Sequence, residues 1–337
     1  MRYAGLWLGL FAFSALATCV LGPNVLSILI FPVPIGVRAA RGFWKASLGL
    51  LGAATLSGAV GIVGFGALAQ WAGVPSMDQL SVAQMADIAI RTILIYGLLA
   101  GSGLAIGLGI ERGWSYGKVV AVTAGLIFAA VCVYMALNWA EMNAQIDELF
   151  ELFATQLQSA DEAGTVSATT EQLEALAYWK NVKTYFVVGF QFATILLTTC
   201  IFVSLTSAVL RRWYADPGTV GLFRDMRPPD WLAWVSIATA IMWLIDYQFG
   251  SEPLQFVSWN MAFGLLAVYV LNGFGIFLYG VNTLAPGFFL MAAIVFLLIN
   301  FGLAPVLGMI GFFDTWAEFR QRIDRLAEAI RNAQSGE

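Results

Sequence analysis

Between Pro253 and Phe313 the chain contains no Asp, Glu, Lys or Arg. A helical run of that length, rising about 1.5 Å per residue, reaches roughly 90 Å, whereas a bilayer's hydrocarbon core is about 30 Å thick. No single buried element of a water-soluble domain is that long. The chain must cross a membrane, turn and cross again. Elsewhere the pattern repeats, with charge-free runs at 3–37, 46–77, 92–110, 119–140, 184–210 and 231–245.

In hydrocarbon, backbone N–H and C=O groups find partners only inside helices or closed barrels. Barrel strands alternate apolar and polar residues over roughly ten positions, and these runs do not. The expected fold class is therefore all-α, a polytopic integral membrane helical bundle. Eight full spans are expected near 3–21, 46–70, 86–110, 119–140, 184–210, 230–249, 257–280 and 285–311. A ninth, shorter segment at 24–37 is broken by Pro32 and Pro34, since proline favours a helix start and opposes a helix interior. Tryptophans such as Trp44, Trp139, Trp179, Trp231, Trp259 and Trp316 fall near the ends of the runs, where amphipathic rings meet headgroups. Arg2 and the small residues up to Cys19 have a faint signal-peptide look, but the apolar run continues past them and an uncleaved first helix is expected.

Four regions follow: N-terminal membrane helices at 1–140, an extramembrane helical insertion at 141–182, C-terminal membrane helices at 183–312 and an amphipathic helix at 313–337. Basic residues concentrate in three loops, around Arg38 and Arg41, Arg112 and Lys118, and Arg211 to Arg227. The positive-inside rule puts these loops in the cytoplasm and the acidic insertion outside. The side of the C-terminus stays open. Counting spans puts it outside, while Arg320, Arg322, Arg325 and Arg331, matched by nearby acids, argue for inside.

Composition also excludes chemistry. There is no histidine, which removes Ser-His-Asp catalysis and histidine-based metal or haem ligation. Cys19, Cys132 and Cys200 lie singly inside expected spans, with no metal or disulfide spacing. No metal and no cofactor is expected. The acidic pI and the lack of a basic stripe leave no nucleic-acid footprint. Gly113-Trp114-Ser115-Tyr116-Gly117 spells a nucleophile elbow, but it joins two helices in a chain without a histidine base. The glycines at Gly97/Gly101 and Gly103/Gly107 are spaced for close helix contact.

Polar groups within spans are the candidate ligand-binding residues, because hydrocarbon penalises them unless they face the bundle interior. They are Gln191, Asp246, Asn260, Asn272 and Asn300, with the aromatic neighbours Trp259 and Tyr269. Each amide could instead bond a neighbouring helix. In the tail, Trp316, Phe319, Ile323, Leu326 and Ile330 step by threes and fours. That pattern suits a helix on the headgroups, a helix folded on the bundle, or a coiled coil with a partner subunit or second copy.

Phe31-Pro32-Val33-Pro34-Ile35 with Arg38 and Gly42 resembles the N-terminal motif of the YybS-like membrane proteins, a family named as a domain of unknown function. Phe223 to Leu232, including Arg224 and Trp231, is similar to that family's basic–proline–tryptophan loop. Leu271-Asn272-Gly273 stands where the family usually has a Gln-Gly pair. Leu307-Gly308, Asp314 and Glu318-Phe319-Arg320 resemble its closing signature. The resemblance implies a distant similarity to the substrate-capturing subunits of energy-coupling vitamin transporters. Ala12, Ala15 and Ala17 depart from the small-xxx-small spacing by which those subunits meet their partner.

The expectation is thus a non-enzymatic protein of the bacterial inner membrane. One reading is small-molecule binding for uptake. The other is a membrane scaffold or assembly factor working through the insertion and the tail helix.

Overall fold

The computed structural model of the protein describes residues 32–43, 45, 47–52, 55, 82–162, 170–214, 223–284 and 304–335. The span expected at 3–21, most of those at 46–70 and 285–311, the linker around 163–169 and Asn300 lie outside the described residues. Among the described residues every regular element is helical and there is no strand. Four helices are long and apolar enough to cross a membrane: Tyr116–Leu137, Val187–Arg212, Trp231–Phe249 and Glu252–Leu284. The chain divides into two compact units, 1–127 with 198–226, and 128–197 with 227–337.

In the first unit, α1 (Pro32–Ala39) packs along α2 (Val82–Glu111). Pro32 and Pro34 sit in its first turn, where a missing N–H costs nothing. Every residue of α1 except Arg38 is buried. The two backbones touch because Gly103 and Gly107 carry no side chain. A Cβ on Gly103 would strike the Pro32 carbonyl, and one on Gly107 would strike Gly36 and Ala39. Among the described residues nothing lies within 4 Å of a Cβ at Gly97 or Gly101, so it is the second glycine pair that makes the crossing with α1. The contacts ascend together in both helices, which are therefore parallel. Gly42, at φ +74°, turns the chain out of α1. The unit also holds the first half of α3 (Tyr116–Leu137) and the second half of the helix Val187–Tyr214. Tyr116 ties them by donating to the Cys200 carbonyl at 2.8 Å and pairing with the Ser204 hydroxyl at 2.8 Å.

The second unit contains the insertion, formed by α4 (Trp139–Glu162) and α5 (Thr170–Val182). They close as a hairpin through Lys180–Glu151, at 2.9 Å, and the Lys183–Asp147 pair. A single 3₁₀ turn, Lys183–Tyr185, leads into α6 (Val187–Tyr214). Next come α7 (Trp231–Phe249), α8 (Glu252–Leu284), α9 (Ala304–Ala317) and α10 (Phe319–Ser335). Gly250, at φ +62°, makes the tight reversal between α7 and α8. These two helices run antiparallel, since Ser236 meets Tyr269 while Trp243 meets Trp259.

Helix α9 runs parallel to α8. Gly308 lies against Leu266 and Val270, and Gly311 meets the backbones of Tyr269 and Gly273. Further on, Ile323 reaches Gly280 and Tyr279 donates to Asp324 at 2.6 Å. The tail helix α10 is thereby held at the C-terminal end of α8. The insertion sits at the opposite end, where Trp179 packs on Phe186, Phe186 on Phe263, and Gly189 bonds Asn260. Twenty helical residues separate Asn260 from Gly280, or roughly 30 Å, one bilayer core.

Candidate functional site

The structure sorts the candidate residues into three places. Asn260 is spent on a helix contact. Its amide donates to the Phe256 carbonyl at 2.8 Å, and its Oδ1 accepts the Gly189 N–H at 2.7 Å. Gly189 is there because a Cβ would strike the Asn260 backbone. Next to this contact, an apolar cavity of about 320 Å³ lies between Phe128, Phe192, Val235, Gly264 and Val268. Gln191 is half-buried on α6 and does not line that cavity.

Asn272 belongs to a second place, a buried polar clamp at the α9–α10 elbow. Its Nδ2 donates to the Gly311 carbonyl at 2.9 Å, and its Oδ1 accepts Arg320 Nη2 at 3.2 Å. Arg320 Nη1 also donates to Asp314 Oδ2 at 2.8 Å, with the two side chains 4% and 9% exposed. The other oxygen, Asp314 Oδ1, accepts the Phe319 N–H at 2.9 Å, the position of an N-cap for α10. Glu318 takes φ +47° to let the chain turn there. Removing a lone charge of this kind from water costs several kcal/mol, and the pair is tolerated because its hydrogen bonds are made. The clamp unites Asn272 with Asp314, Phe319 and Arg320, and Gly308 packs one to two turns earlier in α9.

The third place is a cleft of about 530 Å³ between α7, α8 and α9. Trp259 and Tyr269 both line it, with Thr239, Trp243, Met309 and Phe312. Tyr269 closes its deep end, accepting a hydrogen bond from Ser236 at 3.1 Å and packing edge-on against Phe312 at 5.2 Å. Trp243 and Trp259 stand edge to face at 6.4 Å near the other end. Met309, on the cleft's wall, is 60% exposed, so the cleft is open along that side. Asp246 lies one helical turn beyond Trp243 on α7 and is 7% exposed. The structure therefore brings Trp259 and Tyr269 together and keeps Asn260 and Asn272 apart from them, while Asp246 is not among the residues that line their cleft.

The remaining motif residues are placed as follows. Pro32, Pro34 and Gly42 shape α1 and its exit, and Arg38 is half-buried at its last turn. Arg224 lies in a 3₁₀ turn, and Trp231 begins α7 largely exposed. Sequence reasoning missed the Tyr116 tie and the clamp. Asp314 and Arg320 are six apart, which is not a helical pairing interval, and Asn272 is distant in sequence. Among the described residues no group of His, Cys, Asp and Glu could hold a metal.

Long apolar helices, exposed apolar side chains along them and polar groups bonded inward define an integral membrane protein of the multi-spanning helical class. Residues 79–315 match the family described as "Predicted membrane protein (DUF2232)", and the chain belongs to that family. No curated protein and no solved structure matches the chain.

Proposed function

We propose that this protein binds an amphipathic small molecule drawn from the bilayer and serves its uptake across the cytoplasmic membrane of a bacterium. The observation that carries the reading is the cleft. A volume of about 530 Å³, walled by Trp243, Trp259, Met309 and Phe312 and closed by the Tyr269–Ser236 hydrogen bond, suits a molecule with an apolar body. Two of the amides that a polar-substrate site would use, Asn260 and Asn272, are consumed by helix contacts, which favours an apolar body further. The likeness to YybS-like proteins, the four long apolar helices and the basic loops support the placement. Among the described residues lining the cleft there is no acid, base or nucleophile pair, and we read the protein as a binder with no cofactor. Native mass spectrometry from mild detergent tests this. Retained small-molecule mass is expected on the wild type and is expected to vanish in Ala262→Trp, which fills the cleft. A wild type that carries no such mass sinks the reading.

The scaffold reading is favoured by a different observation. Leu149, Leu152 and Phe153 are exposed on α4, and Leu326 and Ile330 on α10, both outside the apolar spans. These are surfaces through which a partner subunit or a second copy would engage.

A further inference from the structure

We infer that α10 is an interfacial helix: its outer stripe of Phe319, Leu326 and Ile330 sits in the headgroup layer, and Arg322 and Arg325 bind the phosphates of anionic lipids there. The level of the helix in the membrane comes first. Helix α10 touches α8 at Tyr279, whose hydroxyl donates to Asp324, and at Gly280, where Ile323 packs. Twenty-seven helical residues, or roughly 40 Å, separate Tyr279 from Glu252, the acid that opens α8. That distance is close to the thickness of a bilayer with its headgroups. The charge-free run also closes here, at Phe313, and Trp316 follows at the elbow with its indole exposed, as rings at headgroup level are.

The faces of α10 are sorted to match. Toward the bundle it turns Arg320, Ile323, Asp324 and the buried Ala327. Leu326 and Ile330, one turn apart on another side, are left exposed, with the half-buried Phe319 at the start of their stripe. Arg322 stands one turn from both Phe319 and Leu326, and Arg325 one turn from Arg322. Both arginines are exposed, and among the described residues neither forms an ion pair. The acids of the helix lie elsewhere: Asp324 is turned to Tyr279, and Glu328 follows it by one turn, away from the stripe. Exposed apolar side chains flanked by cations fit a surface that is apolar below and anionic above, the boundary of a bilayer containing anionic phospholipid. A second copy docked stripe to stripe would instead bring the unpaired arginines of two tails together. Where the scaffold reading gives Leu326 and Ile330 to a protein, this inference gives them to lipid.

The test uses the full chain with Cys19, Cys132 and Cys200 replaced by serine and a nitroxide attached at Leu326→Cys, Ile330→Cys or Gln321→Cys. Each is placed in nanodiscs of phosphatidylcholine alone or of equimolar phosphatidylcholine and phosphatidylglycerol. In the mixed discs the labels at 326 and 330 are expected to be reached by oxygen and shielded from a water-soluble nickel chelate. The label at 321, on the opposite side of the helix, should stay open to the chelate. Without phosphatidylglycerol the ratio of docked to free α10 should fall by roughly fivefold for each arginine, and Arg322→Gln with Arg325→Gln should produce the same loss in the mixed discs. Labels at 326 and 330 that stay open to the chelate in the mixed discs overturn the inference, and that comparison needs no arginine variant. Equal embedding in both lipids overturns the part played by the arginines. Labels shielded from oxygen and chelate alike would show the stripe covered by protein, a second copy included, and would overturn it as well.

Discussion

Arg320 shows how one side chain joins elements that the sequence keeps far apart. It reaches Asp314 across the elbow and Asn272 on α8, so α10 cannot swing away without exposing a buried charge. Truncating one partner of such a pair strands the other, at a cost of about 3–5 kcal/mol. Arg320→Ala and Asp314→Ala are each expected to destabilise by that order, and the double variant by clearly less than their sum. Thermal unfolding in detergent, followed by gel filtration of the soluble fraction, measures it. Additive losses would show that the two residues act independently. The chemistry at this site was only partly legible in the sequence. Asp314, Phe319 and Arg320 stand out through a family resemblance, but an asparagine in an apolar run reads equally well as ligand-binding or structural. Only the packed helices show that Asn272 is occupied by Gly311 and Arg320. Trp259 and Tyr269 were legible as aromatic neighbours of those amides, yet they line a cleft without them.

At the scale of elements, the spans were readable because a charge-free run has one physical meaning in lipid. Tyr116–Leu137, Trp231–Phe249 and Glu252–Leu284 lie where 119–140, 230–249 and 257–280 were expected. Helix direction was not readable, because periodicity carries no information on whether neighbours run parallel. The glycines decide it, and sequence spacing alone could not choose Gly103/Gly107 over Gly97/Gly101. The insertion hairpin is held differently, by surface charge. The hydrogen bond from Lys180 to Glu151 holds its ammonium pKa above the ordinary lysine value. A raised basic pKa means the folded hairpin binds the proton more tightly than the unfolded chain does. Its contribution is therefore complete below the unfolded lysine value of about 10.4 and is lost as pH climbs through the raised folded value. The pair is exposed, so the effect is small and screened by salt. Spin labels at Thr155 and Ala177 should report a narrow distance distribution at pH 8 that broadens as pH climbs through the raised lysine value. Glu151→Gln should broaden it already at pH 8. A distribution indifferent to both changes would show that apolar packing alone closes the hairpin.

For the whole molecule, helix directions in the second unit turn the open question of the tail's side into a prediction. Loop arginines put the start of α7 on the cytoplasmic side by the positive-inside rule, directly after Arg227. Helix α8 runs antiparallel to α7, so its C-terminal end returns to that side. Because α9 is parallel to α8, α10 emerges there too, beside Tyr279 and Gly280. The insertion packs at the far end, near Phe263 and Asn260. Counting one span for 285–311 puts the tail outside, whereas the parallel register of α8 and α9 predicts the side on which α7 starts. The arginines of α10 then agree with those of the loops. Single cysteines at Gln156 in the insertion and Ala329 in the tail should report this, once Cys19, Cys132 and Cys200 are replaced. In intact spheroplasts a membrane-impermeant maleimide is expected to label position 156 and spare 329, with 329 labelled only after lysis. Labelling of both positions before lysis would place tail and insertion on one face, and the parallel packing of α9 on α8 could not then hold in the membrane.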